Sequence, residues 1–548
     1  MTALAPSAHV DSFARDNLPP FDQWPVMLPM PEGRYPQRLN AAEELIDKAL
    51  PRWGDRPAIR WPGGQWTYRE LADRVNRIAG VLVEPLGLVP GTRVLLRAAN
   101  NPMMVACYFA VLKAGGIAVA TMPLLRGKEL SYIIDKAQID LALCDADLEE
   151  EMVNARTLAP RLRRIALFSG DGTEEKELEG LMRTARGSFD PVDTAAADVC
   201  LIAFTSGTTG EPKGTMHFHR DLLAVCDTFS KHVLKPEADD VFCGSPPIAF
   251  TFGLGGLVLF PFRVGASTLM LERPAPEILS QAIAEYRPTV CFTAPTAYRL
   301  MAGYAAKYDL SSLKKCVSAG ETLPLATFEA FRKATGIEII DGIGSTEMLH
   351  IFISAAGRDI RPGATGKPVP GFEAKVVDAA GKELPPGEVG KLAVRGPTGC
   401  RYLADKRQAN YVQDGWNLTG DAYKMDQDGY FWFQARSDDM IVSAGYNIAG
   451  PEVEDALLQH EHVKECAVVG APHEERGHIV KAFVVLAEGV TATPEKVKEL
   501  QDFVKAEIAP FKYPRAIEFV RELPRTETGK VQRFKLRQRE ESKTGEKA

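Results

Sequence analysis

Apolar positions along the chain follow two alternating rhythms. Leu71, Val75, Ile78 and Leu82 stand three or four residues apart, the spacing of one helix face. Arg93-Val94-Leu95-Leu96 then reads as a short strand. Residues 104–112 form a helix apolar on all sides, stopped at Gly115-Gly116, and Ile117-Ala118-Val119-Ala120 is a strand again. Strand, helix and strand in succession predict βαβ units around a parallel sheet, an α/β fold. Residues 363–399 are rich in Gly and Pro with short alternating runs such as Lys391-Leu392-Ala393-Val394, which predict a small β subdomain. After Arg436 the pattern changes again. Pro451 opens a helix carrying Val453, Ala456 and Leu457 on one face, followed by strands at 465–470 and 480–486. A helix with Val497, Leu500, Val504 and Ile508 and a strand at 516–520 complete this unit. The expected architecture is α/β: a large N-terminal domain of βαβ-type sheets plus a small β subdomain (1–436), then a small mobile α+β C-terminal domain (437–548).

Composition narrows the class. With 548 residues, 45% hydrophobic and 25% charged, the chain is too apolar for a disordered polymer and long enough for several units. A net charge of −7 argues against general attraction to nucleic acid or anionic membrane, so any polyanion must be bound locally. The nine cysteines lie far apart without a CxxC pair, several inside apolar runs, which predicts buried reduced thiols and a cytoplasmic protein. The first twenty residues lack an apolar core, so no signal peptide is expected. Residues 243–262 are uncharged for twenty positions, yet they hold Pro246, Pro247, Pro261 and four glycines, which break the helix that a bilayer demands. A buried core or a ligand wall is expected there instead.

One segment carries chemistry on its face: Thr205, Ser206, Gly207, Thr208, Thr209, Gly210 and, after Glu211-Pro212, Lys213. Small and hydroxyl residues let backbone N–H and side-chain O–H groups converge on phosphate oxygens, and Lys213 adds a point charge. The order is neither a P-loop nor a Rossmann fingerprint, and composition alone leaves an ordinary polar turn open. Further on come Asp341-Gly342-Ile343-Gly344-Ser345-Thr346-Glu347, Thr419-Gly-Asp421, Arg436-Ser-Asp438-Asp and Pro524-Arg-Thr-Glu-Thr-Gly-Lys530.

Together and in this order, these five segments closely resemble the signatures of the adenylate-forming enzymes: acyl-CoA synthetases, luciferases and peptide-synthetase adenylation domains. The resemblance spans about residues 40 to 537. It implies that residues 205–213 bind the phosphates of ATP and that Asp341 to Gly344 line the nucleotide. Glu347 with Thr346 would hold Mg²⁺, Asp421 and Arg436 the ribose, and Gly320 and Glu321 the adenine. Lys530 would be the catalytic lysine of adenylation and Asp438 the hinge, with Ser443, Ala444, Gly445 and Tyr446 forming a passage for coenzyme A in the second half-reaction. The 37 residues from 512 carry 11 bases and 6 acids, part of which is expected to complement the phosphates of ATP and coenzyme A.

Glu347-Met-Leu-His350 and the run Ala249, Phe250, Thr251, Phe252, Gly253 resemble aryl-CoA ligases of the benzoate and 2-aminobenzoate type. The resemblance places Ala249 to Gly253 and His350 in an aryl pocket, and a flat aromatic acid suits such walls. Residues 7–20 resemble 2-aminobenzoate-CoA ligases, whereas Val442 stands where a benzoate-type enzyme is expected to have Lys, and Ser443-Ala-Gly-Tyr-Asn resembles medium-chain acyl-CoA synthetases. The expected activity is that of a 2-aminobenzoate-CoA ligase using ATP, Mg²⁺ and coenzyme A. Benzoate or medium-chain acids, transfer to a separate carrier protein, and an inactive nucleotide-binding protein stay open as alternatives, as do monomer and homodimer.

Overall fold

A computed structural model describes residues 4–205, 212–436, 439–443, 446–473, 477–508, 512–525 and 530–545. The local signals act as expected. Helix Tyr68–Val83 starts at a capping box in which the Thr67 hydroxyl accepts from the Glu70 N–H and the Glu70 carboxylate accepts from the Thr67 N–H. Helix Pro102–Lys113 begins with proline, is capped by Asn101, and is buried on every side.

These helices flank two sheets. In the first, six strands run Arg164–Phe168, Leu141–Asp145, Arg93–Arg97, Ile117–Thr121, Val199–Phe204 and Gly214–Phe218, all parallel except the last pair. The second has nine strands, with Ile339–Gly344, Lys315–Ser318, Val290–Thr293, Val241–Gly244, Ser267–Leu269 and Pro57–Trp61 parallel and antiparallel strands at both edges. Chemistry-bearing segments lie at the carboxyl ends of these parallel strands, where open α/β sheets bind ligands.

A third, antiparallel sheet combines Glu373–Val377, Val389–Arg395, Val412–Gln413, Trp416–Met425 and Phe431–Arg436. The β subdomain therefore extends well past residue 399. Its ten-residue strand Trp416–Met425 holds Gly420 and Asp421 midway, which hides the alternation. The fourth sheet, with helices Gly450–Leu458, Pro494–Glu507 and Arg533–Gly545, is the expected C-terminal α+β unit. The uncharged stretch is broken into strand Val241–Gly244, a diproline turn and short helical pieces from Thr251 to Val264. Among the described residues no helix is long and apolar enough to cross a membrane. All nine cysteines are buried and free, as their spacing predicts.

One buried ion pair ties the first sheet to the third. Arg401, just after strand Val389–Arg395, reaches Asp221 on helix His219–Val225 at 2.9 Å, and neither side chain has any exposed surface. Burial alone would raise the Asp221 carboxyl, but Arg401, His217 and Arg220 outweigh it and hold it below the usual range. Arg401 also stacks over Phe218 at 4.1 Å and Trp24 at 5.0 Å. Replacing Arg401 by Met would leave the Asp221 charge buried and unpaired. The expected loss is about 3–5 kcal/mol, read from the urea midpoint of the N-terminal unfolding transition.

Candidate functional site

The phosphate-type segment opens at the end of strand Val199–Phe204. The Thr205 N–H bonds the Lys213 carbonyl at 2.9 Å and the Lys213 N–H bonds the Thr205 hydroxyl at 3.2 Å, closing a loop between them. Ser206, Gly207, Thr208, Thr209 and Gly210 lie outside the described residues. Lys213 aims its ammonium at the Tyr402 hydroxyl, 2.9 Å away, and lies over the rings of Tyr402 (4.7 Å) and Tyr411 (5.8 Å). The Tyr402 hydroxyl in turn donates to Glu347 Oε1 at 2.5 Å. Burial, together with Glu347 and Cys400, pushes this phenol far up in pKa, so it stays a donor.

Glu347 sits in the turn after strand Ile339–Gly344, and both it and Tyr402 are buried. His217 Nε2 pairs with the Thr346 carbonyl at 2.8 Å, and the Ser345 hydroxyl accepts from the Met348 N–H and pairs with Tyr411. The carbonyl contact pins the backbone that presents Thr346 and Glu347. Asp341 lies on the same strand ahead of Gly342, Ile343 and Gly344, and burial pushes its carboxyl up to about 7. Across the cleft Asp421 pairs with Arg436 at 3.0 Å. Burial outweighs that arginine and raises the Asp421 pKa.

Lys530 arrives from the C-terminal unit. Its Nζ and Cε lie 3.8 Å from the position a Cβ on Gly320 would take, and among the described residues, chain neighbours of Gly320 aside, nothing else comes within 4 Å of that point. Gly320 has φ +87°, a conformation that favours glycine, and it leaves the lysine an open approach. Desolvation lowers the Lys530 pKa, Glu321 pulls it back up, Arg436 lowers it and Asp421 raises it. Five sequence candidates thus converge: Lys530, Gly320, Glu321, Asp421 and Arg436. Glu321 is itself held by the Thr296 hydroxyl at 2.7 Å.

Six of the tail's eleven bases pair with acids of the C-terminal unit: Lys512 with Glu452, Arg525 with Glu465, Arg533 with Glu454, Arg537 with Asp439, Arg539 with Glu518 and Lys543 with Glu540. Asp438, Ala444 and Gly445 lie outside the described residues. The backbones of Ser443 and Tyr446 are paired to each other across a hairpin.

Around His350, one of the residues expected in the aryl pocket, the fold gathers an aromatic box. Phe252 lies 5.7 Å from the imidazole, Phe260 4.6 Å, Phe229 5.5 Å and Phe292 6.3 Å between ring centres. Phe250 caps the short helix Thr251–Leu254, its N–H bonded to the Pro247 carbonyl. Thr251 and Gly253 are buried, and Ala249 packs against the core. Asn100, absent from the sequence reading, fixes this turn by bonding the Pro246 carbonyl and the Ile248 N–H. A Cβ on Gly255 would come within 2.3 Å of the His350 ring, so glycine lets the imidazole pack against this helical run.

The profile of the AMP-binding enzyme family matches residues 46–402, and that of the AMP-binding enzyme C-terminal domain matches 452–530. Benzoate–CoA ligase of Thauera aromatica is 36% identical over 517 residues, 92% of this chain and 97% of that one. A crystal structure of the anthranilate CoA ligase AuaEII with anthranoyl-AMP superposes with a TM-score of 0.88 at 35% identity, covering 92% of this chain and 98% of that one. A benzoate CoA ligase from Burkholderia xenovorans LB400 gives 0.82 at 33% identity, covering 91% and 100%. The chain belongs to the AMP-binding enzyme family, the adenylate-forming enzymes, and stands among its AMP-forming CoA ligases of aryl type.

Burial pushes His350 and His219 down to about 3. The unfolded chain would protonate them near 6.5, so it binds more protons than the folded state between those values. Stability from these residues is complete above about pH 6.5 and falls as pH drops toward 3. His350→Phe is expected to flatten the decline of the unfolding free energy with falling pH, measured by urea titration at each pH, by about 1.4 kcal/mol per pH unit.

Proposed function

We propose that the chain is an ATP-dependent aryl-CoA ligase acting on 2-aminobenzoate. An aryl carboxylate oxygen attacks the α-phosphorus of ATP and pyrophosphate leaves; the coenzyme A sulfur then attacks the acyl carbonyl and AMP leaves. The observation that carries this reading is the delivery of Lys530 into the cleft formed by Gly320, Glu321, Asp421 and Arg436. An ammonium at that point orients the nucleophile and offsets the charge that develops as two anions meet.

Each chain residue has a part in this scheme. Lys213 and the preceding hydroxyl-rich segment bind phosphate oxygens, Asp421 accepts from ribose hydroxyls with Arg436 beside it, and Glu321 and Gly320 border the adenine. A hard cation takes oxygen ligands, and the Glu347 carboxylate fits, since Tyr402 engages only Oε1. Glu347 with Thr346 would hold Mg²⁺ there, and the ion supplies neutralisation of triphosphate charge. The residues 437–548 act as a lid that presents Lys530 for the first half-reaction and the 443–446 loop for the second. Mg²⁺ dependence and a cytoplasmic location belong to this reading.

The box of Phe252, Phe260, Phe292 and neutral His350 supports a flat, mostly apolar acid. The anthranoyl-AMP complex of the superposable ligase and the N-terminal run favour 2-aminobenzoate. The second reading is benzoate, favoured by the 36% identity to the Thauera aromatica enzyme. Ranking kcat/KM for benzoate, 2-aminobenzoate, 2-hydroxybenzoate and hexanoate tests the choice. We expect 2-aminobenzoate first, and hexanoate ranking first would overturn the aryl assignment. Lys530→Ala is expected to slow pyrophosphate exchange at least about 100-fold while thioester formation from supplied aryl-AMP survives. Equal loss of both would exclude a role confined to adenylation.

A further inference from the structure

Tyr402 and its surroundings were not among the residues that the sequence singles out, yet they stand between two of them. Lys213 belongs to the phosphate segment on the first sheet, and Glu347 to the turn after a strand of the second. Tyr402 lies in the connection between strands Val389–Arg395 and Val412–Gln413 of the third. The Lys213 ammonium donates to the Tyr402 oxygen at 2.9 Å, and the Tyr402 hydroxyl donates to Glu347 Oε1 at 2.5 Å. The phenol is fixed from behind: its backbone N–H bonds the Gln408 side chain at 2.9 Å, Thr215 bridges to its backbone, and Tyr411 meets its ring edge-on at 5.7 Å. Its side chain has no exposed surface.

We propose that Tyr402 is a positioning residue that keeps Lys213 and Glu347 apart while aligning both. An ammonium and a carboxylate this close would otherwise collapse into a direct ion pair. Such a pair would withdraw the cation from the phosphates and the carboxylate from the metal. With the hydroxyl interposed, Glu347 is oriented through one oxygen and keeps Oε2 for a hard cation, while Lys213 rests above two aromatic faces from which it can turn to an incoming anion. The inference rests on the reading of Glu347 as the cation ligand and adds a role for the residue behind it.

Tyr402→Phe removes the hydroxyl and preserves the ring. Mn²⁺ binding to the enzyme saturated with a non-hydrolysable ATP analogue, followed by electron paramagnetic resonance, should weaken about 5- to 20-fold, and the KM for Mg-ATP should rise in parallel. Thioester formation from supplied aryl-AMP should stay at the parent value. Tyr411→Phe is the control: it removes a neighbouring hydroxyl that, among the described residues, meets Ser345 and not Glu347, so Mn²⁺ binding should be unchanged. Parent-level Mn²⁺ binding in Tyr402→Phe, or an equal weakening in Tyr411→Phe, overturns the proposal. Failure of the parent enzyme to bind Mn²⁺ with nucleotide would instead overturn the assignment of Glu347.

Discussion

Three sheets meet at the cleft, and the buried pair of Arg401 and Asp221 ties the first of them to the third. Asp221 opens the helix after the strand that follows the phosphate segment. Arg401 immediately precedes Tyr402. Four residues before Asp221, His217 holds the carbonyl of Thr346. Within a few residues the pair connects the phosphate segment, the Glu347 turn and the third sheet. A paired charge without solvent exposure tolerates little displacement, because any slip leaves a desolvated ion alone. The cleft gains rigidity where the chemistry needs it: at the boundary between elements distant in sequence.

Much of this was legible beforehand because it is local. The βαβ rhythm, the breaks in the 243–262 stretch and the buried cysteines follow from spacing and residue type. The five motifs supplied residues that the fold brings together, among them Asp421, Arg436 and Lys530, whereas the approach of Lys530 to Gly320 is seen only in the structure. Other parts were illegible for a physical reason. Phe229, Phe260 and Phe292 stand far apart in the chain, and only the fold brings them around His350, so no local pattern announces the cluster. Tyr402 and Tyr411 act through partners more than fifty residues away in the chain. The extension of the β subdomain to Arg436 was masked by the polar Gly420-Asp421 step inside a long strand.

In the tail, short-range pairing takes up six of the eleven bases. Their partners, Glu452, Glu454, Glu465 and Glu518 among them, sit on the same C-terminal unit. Lys530 differs from its neighbours because it reaches the N-terminal body.

Arg533, three residues after Lys530, grips Glu454 through two parallel bonds of 3.0 and 2.7 Å, and Glu454 also receives the Val468 N–H at 2.8 Å. The lysine is thereby bolted near the end of a stiff arm rather than carried on a loose thread. If the C-terminal unit turns, Lys530 travels with it as cargo on a rigid body, and the ammonium is displaced in proportion to its distance from the pivot. Withdrawal of the charge from the cleft then needs no melting of the tail, only a pivot.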